Sequence, residues 1–170
     1  MTTLDPQRSA LVLVDLMPRL LELELGPRPG AVVLEAAVAL AERARSAGAF
    51  VVAIRLERTG AAVQPPGSEL APAVAALADA VVVKRTVGGY HGTGLDALLR
   101  ERGIETLVMA GIRTNIGVES TARAAYDQGH RLVFVEDAMS ARFAEHHEAS
   151  VRYNLPRFGE VAPSSAVHWG

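Results

Sequence analysis

The sequence contains no cysteine, only 5% aromatic residues and no long uninterrupted apolar run. The absence of cysteine excludes disulfide bonds, thiolate metal sites and catalysis by a thiol. No apolar run approaches the roughly 20 residues that span a bilayer. The first eight residues also lack the basic and apolar segments of a secretory signal. We therefore expect a cytoplasmic protein with no membrane partner.

Neither sign of charge dominates the chain. Seventeen basic and nineteen acidic residues give a net charge of −2, and neither kind gathers into a run. Such a balance argues against a nucleic-acid partner, which a basic patch would attract. With 170 residues, 49% of them hydrophobic, the chain is long enough to bury a substantial core. We predict a single domain that spans residues 1–170.

Five apolar runs predict buried β-strands, because they are continuous rather than alternating, as in strands covered on both faces. These runs are Ala10–Val14, Phe50–Ile54, Ala80–Val83, Thr106–Ala110 and Leu132–Val135. Helical patterns lie between them; in residues 31–47, for example, small and branched apolar side chains form one stripe. Strands that alternate with helices predict a three-layer α/β/α sandwich around a mostly parallel sheet.

Three of the predicted strands end in a charged residue, namely Asp15, Arg55 and Lys84. Ligands bind beyond the carboxyl ends of the strands in open parallel sheets, so these side chains are candidates for a site. A carboxylate and an ammonium in one crevice can act as a proton-transfer residue and its electrostatic partner. The alternative is a purely structural ion pair. Asp137, after another strand run, is expected to cap the turn toward the next helix.

Three further sequence features give only weak support for a functional site. Residues 88–94 are rich in glycine but lack the spacing and the lysine-hydroxyl ending of a phosphate-binding loop. His146 and His147 are adjacent and therefore point in different directions on a helix, which does not suit a metal site. Ser120 and Thr121 lack the surrounding pattern of a nucleophile elbow. We predict no metal, no cofactor and no serine or threonine nucleophile.

Three motifs in order resemble those of the isochorismatase-like hydrolases, which belong to the cysteine hydrolase superfamily. They are Ala10–Asp15, Val81–Lys84 with Tyr90–Leu95, and Gly111–Ala122. The resemblance continues toward the carboxyl terminus and covers nearly the whole chain. It implies a six-stranded parallel sheet, a homo-oligomer, and a site built from an aspartate, a lysine and a cysteine. Asp15 and Lys84 match the first two of these residues.

Gly117 stands where most members of that family have the cysteine. The covalent hydrolysis typical of nicotinamidase-like relatives therefore has no nucleophile here. The chain resembles the true isochorismatases in having glycine at this position, and this likeness implies hydrolysis of a vinyl ether. In that reaction Asp15 protonates the vinyl carbon, water captures the oxocarbenium ion and pyruvate leaves, while Lys84 supplies electrostatic support.

Further expectations follow from the resemblance and from the strand ends. The metal ligands of nicotinamidases correspond to Leu56 and Arg58, which argues against a metal. A cis peptide bond is expected between Ile112 and Arg113. The candidate substrate-binding residues are Met17, Arg55, Tyr90, Ile112, Arg113 and Gly117.

The sequence leaves three functions open. The first is hydrolysis of a small anionic substrate by Asp15 and Lys84 without a cysteine. The second is a family member without catalysis that serves as a ligand-binding or oligomeric scaffold. The third is direct attack on an amide by water that Asp15 activates. Retention of both charges favours the first, because an idle buried ion pair is often replaceable by apolar residues.

Overall fold

The structure is a computed structural model that describes residues 2–170. Its strands are β1 (Thr2–Leu4), β2 (Ser9–Val14), β3 (Phe50–Leu56), β4 (Ala80–Lys84), β5 (Thr106–Ile112), β6 (Arg131–Ser140), β7 (Glu160–Ala162) and β8 (Val167–Trp169). Its α-helices are α1 (Pro18–Leu21), α2 (Gly30–Ser46), α3 (Pro72–Leu77), α4 (Leu95–Glu101), α5 (Glu119–Asp127) and α6 (Ala144–Ala149). No helix in this part of the chain has the length and apolar character needed to cross a membrane.

Six strands form one parallel sheet in the order β4-β3-β2-β5-β6-β7, which confirms the expected six-stranded sheet. The five predicted runs lie within β2 to β6, and the sixth strand is the short β7. β1 and β8 pair with each other in a separate parallel ribbon. β2 has a neighbour on each side, and all six of its residues are buried. This burial on both faces explains the continuous apolar run.

The two faces of the sheet carry separate hydrophobic layers. Side chains alternate along β2, so Leu11 and Leu13 belong to one layer while Val12 and Val14 belong to the other. The apolar stripe of α2 packs in the first layer together with residues of α3. α4 and α5 contribute to the second layer. Helices on both faces confirm the predicted α/β/α sandwich.

β6 is longer than its apolar run predicted. It continues to Ser140, with a shift of register against β5 between Met109 and Gly111. Asp137 therefore lies within the strand, and its carboxylate accepts hydrogen bonds from the N–H (2.7 Å) and the hydroxyl (2.6 Å) of Ser164. The expectation that Asp137 caps the turn toward the next helix is wrong, because pairing with β5 keeps the backbone extended.

The carboxyl end of β5 lies very close to that of β2. Gly111 has a φ of +121°, a conformation that is strained for any residue with a side chain. A Cβ atom there would lie 2.1 Å from the carbonyl oxygen of Val14, which is its register partner on β2. Glycine at this position therefore allows the two strand ends to meet next to Asp15.

We predict that Gly111→Ala destabilises the protein by at least about 3 kcal/mol, because the left-handed backbone and the steric overlap with Val14 add together. Urea denaturation followed by circular dichroism measures this change. Gly94→Ala is the matched control, since a Cβ atom at Gly94 meets no other atom within 4 Å. Equal stability of the two variants would contradict the prediction.

Candidate active site

A cavity of about 330 Å³ opens at the carboxyl ends of β2, β4 and β5. Its wall combines charged and apolar side chains. The lining residues are Asp15, Leu20, Leu23, Leu56, Lys84, Arg85, Thr86, Val87, Ile112, Arg113, Ile116 and Gly117. Since all strands of the sheet are parallel, the ends that carry charge meet at this one edge.

An ion pair between Asp15 and Lys84 lies in this cavity. Nζ of Lys84 is 2.8 Å from Oδ2 of Asp15, and the lysine and aspartate side chains are only 1% and 8% exposed. Nζ also donates a hydrogen bond of 2.6 Å to the carbonyl oxygen of Val87. Lys84 is the single lysine of the chain. Its ammonium group is buried, so these two acceptors offset its lost contact with water.

The backbone around Asp15 determines where its carboxyl group lies. Asp15 has a φ of +54°, in the left-handed region that aspartate enters more readily than most residues. Its N–H donates to the carbonyl oxygen of Ile54 at 2.9 Å, and its own carbonyl accepts from the N–H of Met17 at 2.8 Å. A hydrogen-bonded turn at the strand end therefore presents the carboxyl group to the cavity.

Gly117 packs directly against the ion pair. It belongs to the π-helical segment Thr114–Val118, which follows β5. A Cβ atom at Gly117 would lie 2.9 Å from Oδ2 of Asp15 and 3.2 Å from Nζ of Lys84. The first distance is shorter than ordinary Cβ contacts. The absence of a side chain at position 117 thus leaves the room in which the two charges meet.

The turn after β5 contains a cis peptide bond between Ile112 and Arg113, which confirms the expectation. The carbonyl oxygen of Arg113 accepts a hydrogen bond of 3.2 Å from the N–H of Val118. Behind this turn, Oγ1 of Thr114 lies 2.8 Å from Nδ1 of His147. Burial lowers the pKa of His147 to about 4. The ring is therefore neutral near pH 7, and Thr114 is hydrogen-bonded to an uncharged imidazole.

Burial raises the pKa of Asp15 above its ordinary value, against the opposing effects of Lys84, Arg19 and Arg113. The carboxyl group therefore stays protonated to higher pH than that of an exposed aspartate. Within residues 2–170, Oδ1 of Asp15 has no hydrogen-bond partner. One carboxyl oxygen binds Lys84, and the other is buried without such a partner and can carry a proton.

The structure brings most of the predicted site residues together. Those in the cavity wall are Asp15, Lys84, Ile112, Arg113 and Gly117. Asp15 directly follows β2, Ile112 ends the adjacent strand β5, and Arg113 and Gly117 lie in the segment after β5. Lys84 comes from the end of β4.

Met17, Arg55 and Tyr90 do not line this cavity. Met17 is buried, and its Sδ accepts the N–H of Leu56 at 3.4 Å. Arg55 pairs with Glu57 at 2.7 Å; because side chains alternate along β3, Leu56 lines the cavity instead. Tyr90 packs against the core with its hydroxyl buried, and burial raises the pKa of that hydroxyl.

Sequence reasoning missed Arg85 and part of the apolar wall. Arg85 follows Lys84 directly, and its guanidinium pairs with Glu57 at 2.6 Å. A charged residue next to a strand end is a sequence feature that can identify Arg85 as a candidate for the site. Leu20 and Leu23 lie in and just after α1, which has only four residues and is too short to show a helical period. No sequence pattern marked these two leucines.

The cavity wall offers little to a metal ion. Leu56 lines the cavity, and Arg58 is exposed with its backbone N–H bound to the side chain of Gln64 at 2.8 Å. Among residues 2–170, no three acidic or histidine side chains gather where they could hold a metal.

Comparison with known proteins gives one consistent result. The isochorismatase domain matches residues 9–166. The chain is 38% identical to the isochorismatase family protein YecD of Escherichia coli O157:H7 over 95% of both chains. It is 35% identical to streptothricin hydrolase of Streptomyces noursei, over 76% of this chain and 48% of that protein. An isochorismatase family protein from Burkholderia thailandensis superposes with a TM-score of 0.83 and 34% identity, covering 97% of this chain and 95% of the other.

The parallel sheet and its matching structural neighbours define an isochorismatase-like hydrolase fold. The chain belongs to the isochorismatase family. Its sequence contains no cysteine, so the chain has no thiol nucleophile.

We predict that Lys84→Met lowers the free energy of unfolding by about 3–5 kcal/mol, because it leaves the buried carboxyl group of Asp15 without its partner. The double variant Asp15→Asn/Lys84→Met should recover part of this loss. Urea denaturation of both variants measures the effect. Arg100→Met, which removes the cation of the exposed Asp96–Arg100 pair, is the control and should unfold close to the wild-type midpoint. A Lys84→Met variant as stable as that control would refute the prediction.

Proposed function

We propose that this protein hydrolyses a small anionic substrate without a covalent intermediate, with Asp15 as general acid and Lys84 as its electrostatic partner. The favoured reaction is hydrolysis of a vinyl ether. The observation that carries the proposal is the buried Asp15–Lys84 pair, which meets at 2.8 Å against the side-chain-free backbone of Gly117.

The cavity wall supports chemistry without an attacking side chain. The chain has no cysteine, and the wall contains one hydroxyl, that of Thr86, which donates to the carbonyl oxygen of Gly88 at 2.9 Å. Lys84 donates hydrogen bonds to Asp15 and to the Val87 carbonyl oxygen, and these two contacts hold its Nζ in place. Acid catalysis by Asp15 needs none of these nucleophiles.

Asp15 is suited to donate a proton. Burial raises its pKa, and Oδ1 is without a hydrogen-bond partner among residues 2–170. A proton on Oδ1 passes to the terminal carbon of the vinyl group, and the ether carbon becomes an oxocarbenium ion. Water then adds to that carbon and returns a proton to Asp15. The resulting hemiketal collapses to an alcohol and pyruvate, so the carboxyl group ends as it began.

Positive charge around the cavity supports an anionic substrate. Arg113 and Arg85 line the wall together with Lys84, while Asp15 is its single acidic residue. A bound carboxylate would interact favourably with these cations. Its negative charge would also raise the pKa of Asp15 further, which favours the protonated acid that the reaction needs. The volume of about 330 Å³ suits a small molecule.

The competing reaction is attack on an amide by water that Asp15 activates. It requires an ionised carboxylate to take a proton from water, and a base with a pKa near the working pH. Burial raises the pKa of Asp15 toward that range, which suits a base as well as an acid, so this pKa does not separate the two reactions. We place amide hydrolysis second because the resemblance at Gly117 favours a vinyl ether.

The homo-oligomer implied by the family resemblance stays a prediction, and light scattering on the purified protein measures it. Three apolar residues at the cavity, Leu23, Val87 and Ile116, are 41%, 55% and 38% exposed. Coverage of these side chains by a neighbouring copy would support it.

We predict that the purified protein releases pyruvate from isochorismate or a related vinyl ether and that Asp15→Asn slows this release by about 100-fold or more. Asparagine keeps the shape of the side chain and an acceptor for Lys84, but it cannot donate the proton. Pyruvate is followed through a coupled NADH assay. Asp96→Asn, which changes a half-buried carboxylate that pairs with Arg100 and does not line the cavity, is the control. Absence of turnover in both proteins would favour the scaffold function, and an unchanged rate in Asp15→Asn would remove Asp15 from the mechanism.

We predict that kcat/KM falls with rising pH above the pKa of Asp15, about tenfold per pH unit, because the ionised form cannot act as the acid. Burial raises this pKa, so the decline should begin at a higher pH than for an exposed aspartate. A pH–rate profile of pyruvate release measures it. A rate that instead increases with pH would indicate that Asp15 acts as a base and would favour amide hydrolysis.

A further inference from the structure

A buried threonine connects two segments next to the ion pair. Thr121 lies in α5 and is fully buried. Its Oγ1 donates a hydrogen bond of 2.6 Å to the carbonyl oxygen of Gly117 and accepts one of 3.0 Å from the N–H of Gly89. The hydrogen bond to Gly117 lies within the helical segment, whereas the hydrogen bond from Gly89 comes from a loop that is distant in sequence. The hydroxyl therefore connects that loop to the helix by a hydrogen bond.

The glycine-rich loop lies directly on α5. A Cβ atom at Gly89 would be 2.7 Å from Cδ1 of Ile54 and 3.3 Å from Cγ2 of Thr121. A Cβ atom at Gly88 would be 3.3 Å from the carbonyl oxygen of Ser120. These two glycines belong to the run at 88–94 that lacks phosphate-loop spacing. Close packing of the loop against a helix accounts for them.

The same loop holds Lys84. The carbonyl oxygen of Val87 in this loop accepts the second hydrogen bond of the Lys84 ammonium at 2.6 Å. Val87 lies two residues before Gly89, whose N–H donates to Thr121. On the other side, the Gly117 carbonyl that Thr121 binds belongs to the residue that packs against the Asp15–Lys84 pair. One hydroxyl thus contacts both backbone segments that confine the pair.

We propose that Thr121 is a positioning residue that holds the Asp15–Lys84 pair in its working geometry by fastening the Val87–Gly89 segment and Gly117 to each other. It touches neither partner of the ion pair and acts through their backbone neighbours. Its significance for turnover rests on the proposed function, but its effect on Lys84 does not. The two effects can therefore be measured separately.

The test compares Thr121→Val, which replaces the hydroxyl by a methyl of similar size, with Thr121→Ser, which retains the hydroxyl. Because Lys84 is the only lysine, isotope-labelled lysine gives NMR signals from its side chain alone. We expect Thr121→Val to accelerate hydrogen exchange of the Lys84 ammonium about tenfold or more, since it loosens the segment that carries its acceptor. Thr121→Ser should restore wild-type exchange.

Ser9→Ala is the matched control. Ser9 is a buried hydroxyl that donates to the carbonyl oxygen of Asp5 at 2.7 Å and accepts from Nε1 of Trp169 at 3.1 Å, at the opposite end of β2. It should change the melting temperature without changing Lys84 exchange. A Thr121→Val variant that behaves like Ser9→Ala, with altered melting and unaltered exchange, would overturn the proposal.

Turnover supplies the second readout. If pyruvate release is observed, Thr121→Val should lower kcat more than it changes KM, by about 10- to 100-fold, as loss of a supporting contact does elsewhere. Altered Lys84 exchange in a protein that never turns over would support the positioning role and count against the proposed function. If Thr121→Val does not fold, Gly88→Ala displaces the same loop from Ser120, and unchanged exchange in it would overturn the proposal.

Discussion

The site depends on burying an ammonium and a carboxyl group side by side, which is unfavourable for either group alone. β4 and β2 are not neighbours, because β3 lies between them, so two strand spacings of about 4.8 Å each separate their backbones. Only a long side chain at the end of β4 reaches Asp15. The parallel sheet, the turn at Asp15 and the loop carbonyl of Val87 together make this contact possible.

Strand patterns predicted the layered fold and the main charges of the site. Buried parallel strands read as continuous apolar runs, and a charge after such a run marks the edge where ligands bind. Asp15 and Lys84 were found in this way. Gly117 and the cis bond at Ile112–Arg113 could not be derived from patterning, because neither alters composition or period; they came from the family resemblance.

The failures have physical causes as well. Arg55 ends a strand run, but β3 continues by one residue and alternation turns Leu56 into the cavity. Asp137 follows an apolar run, yet backbone pairing carries β6 past it. Thr121 lacks a nucleophile motif, and the role proposed for it depends on a hydrogen bond to a loop 32 residues away. Such contacts are properties of the folded chain.

The missing Cβ atom at Gly117 sets how closely the two charges approach each other. A side chain at that position would bring a Cβ atom 2.9 Å from Oδ2 of Asp15 and 3.2 Å from Nζ of Lys84, so the ends of both side chains would have to shift. A residue larger than glycine therefore acts on the acid through the distance between carboxyl and ammonium groups. Position 117 is thus a control point for acid strength, although its own residue carries no charge.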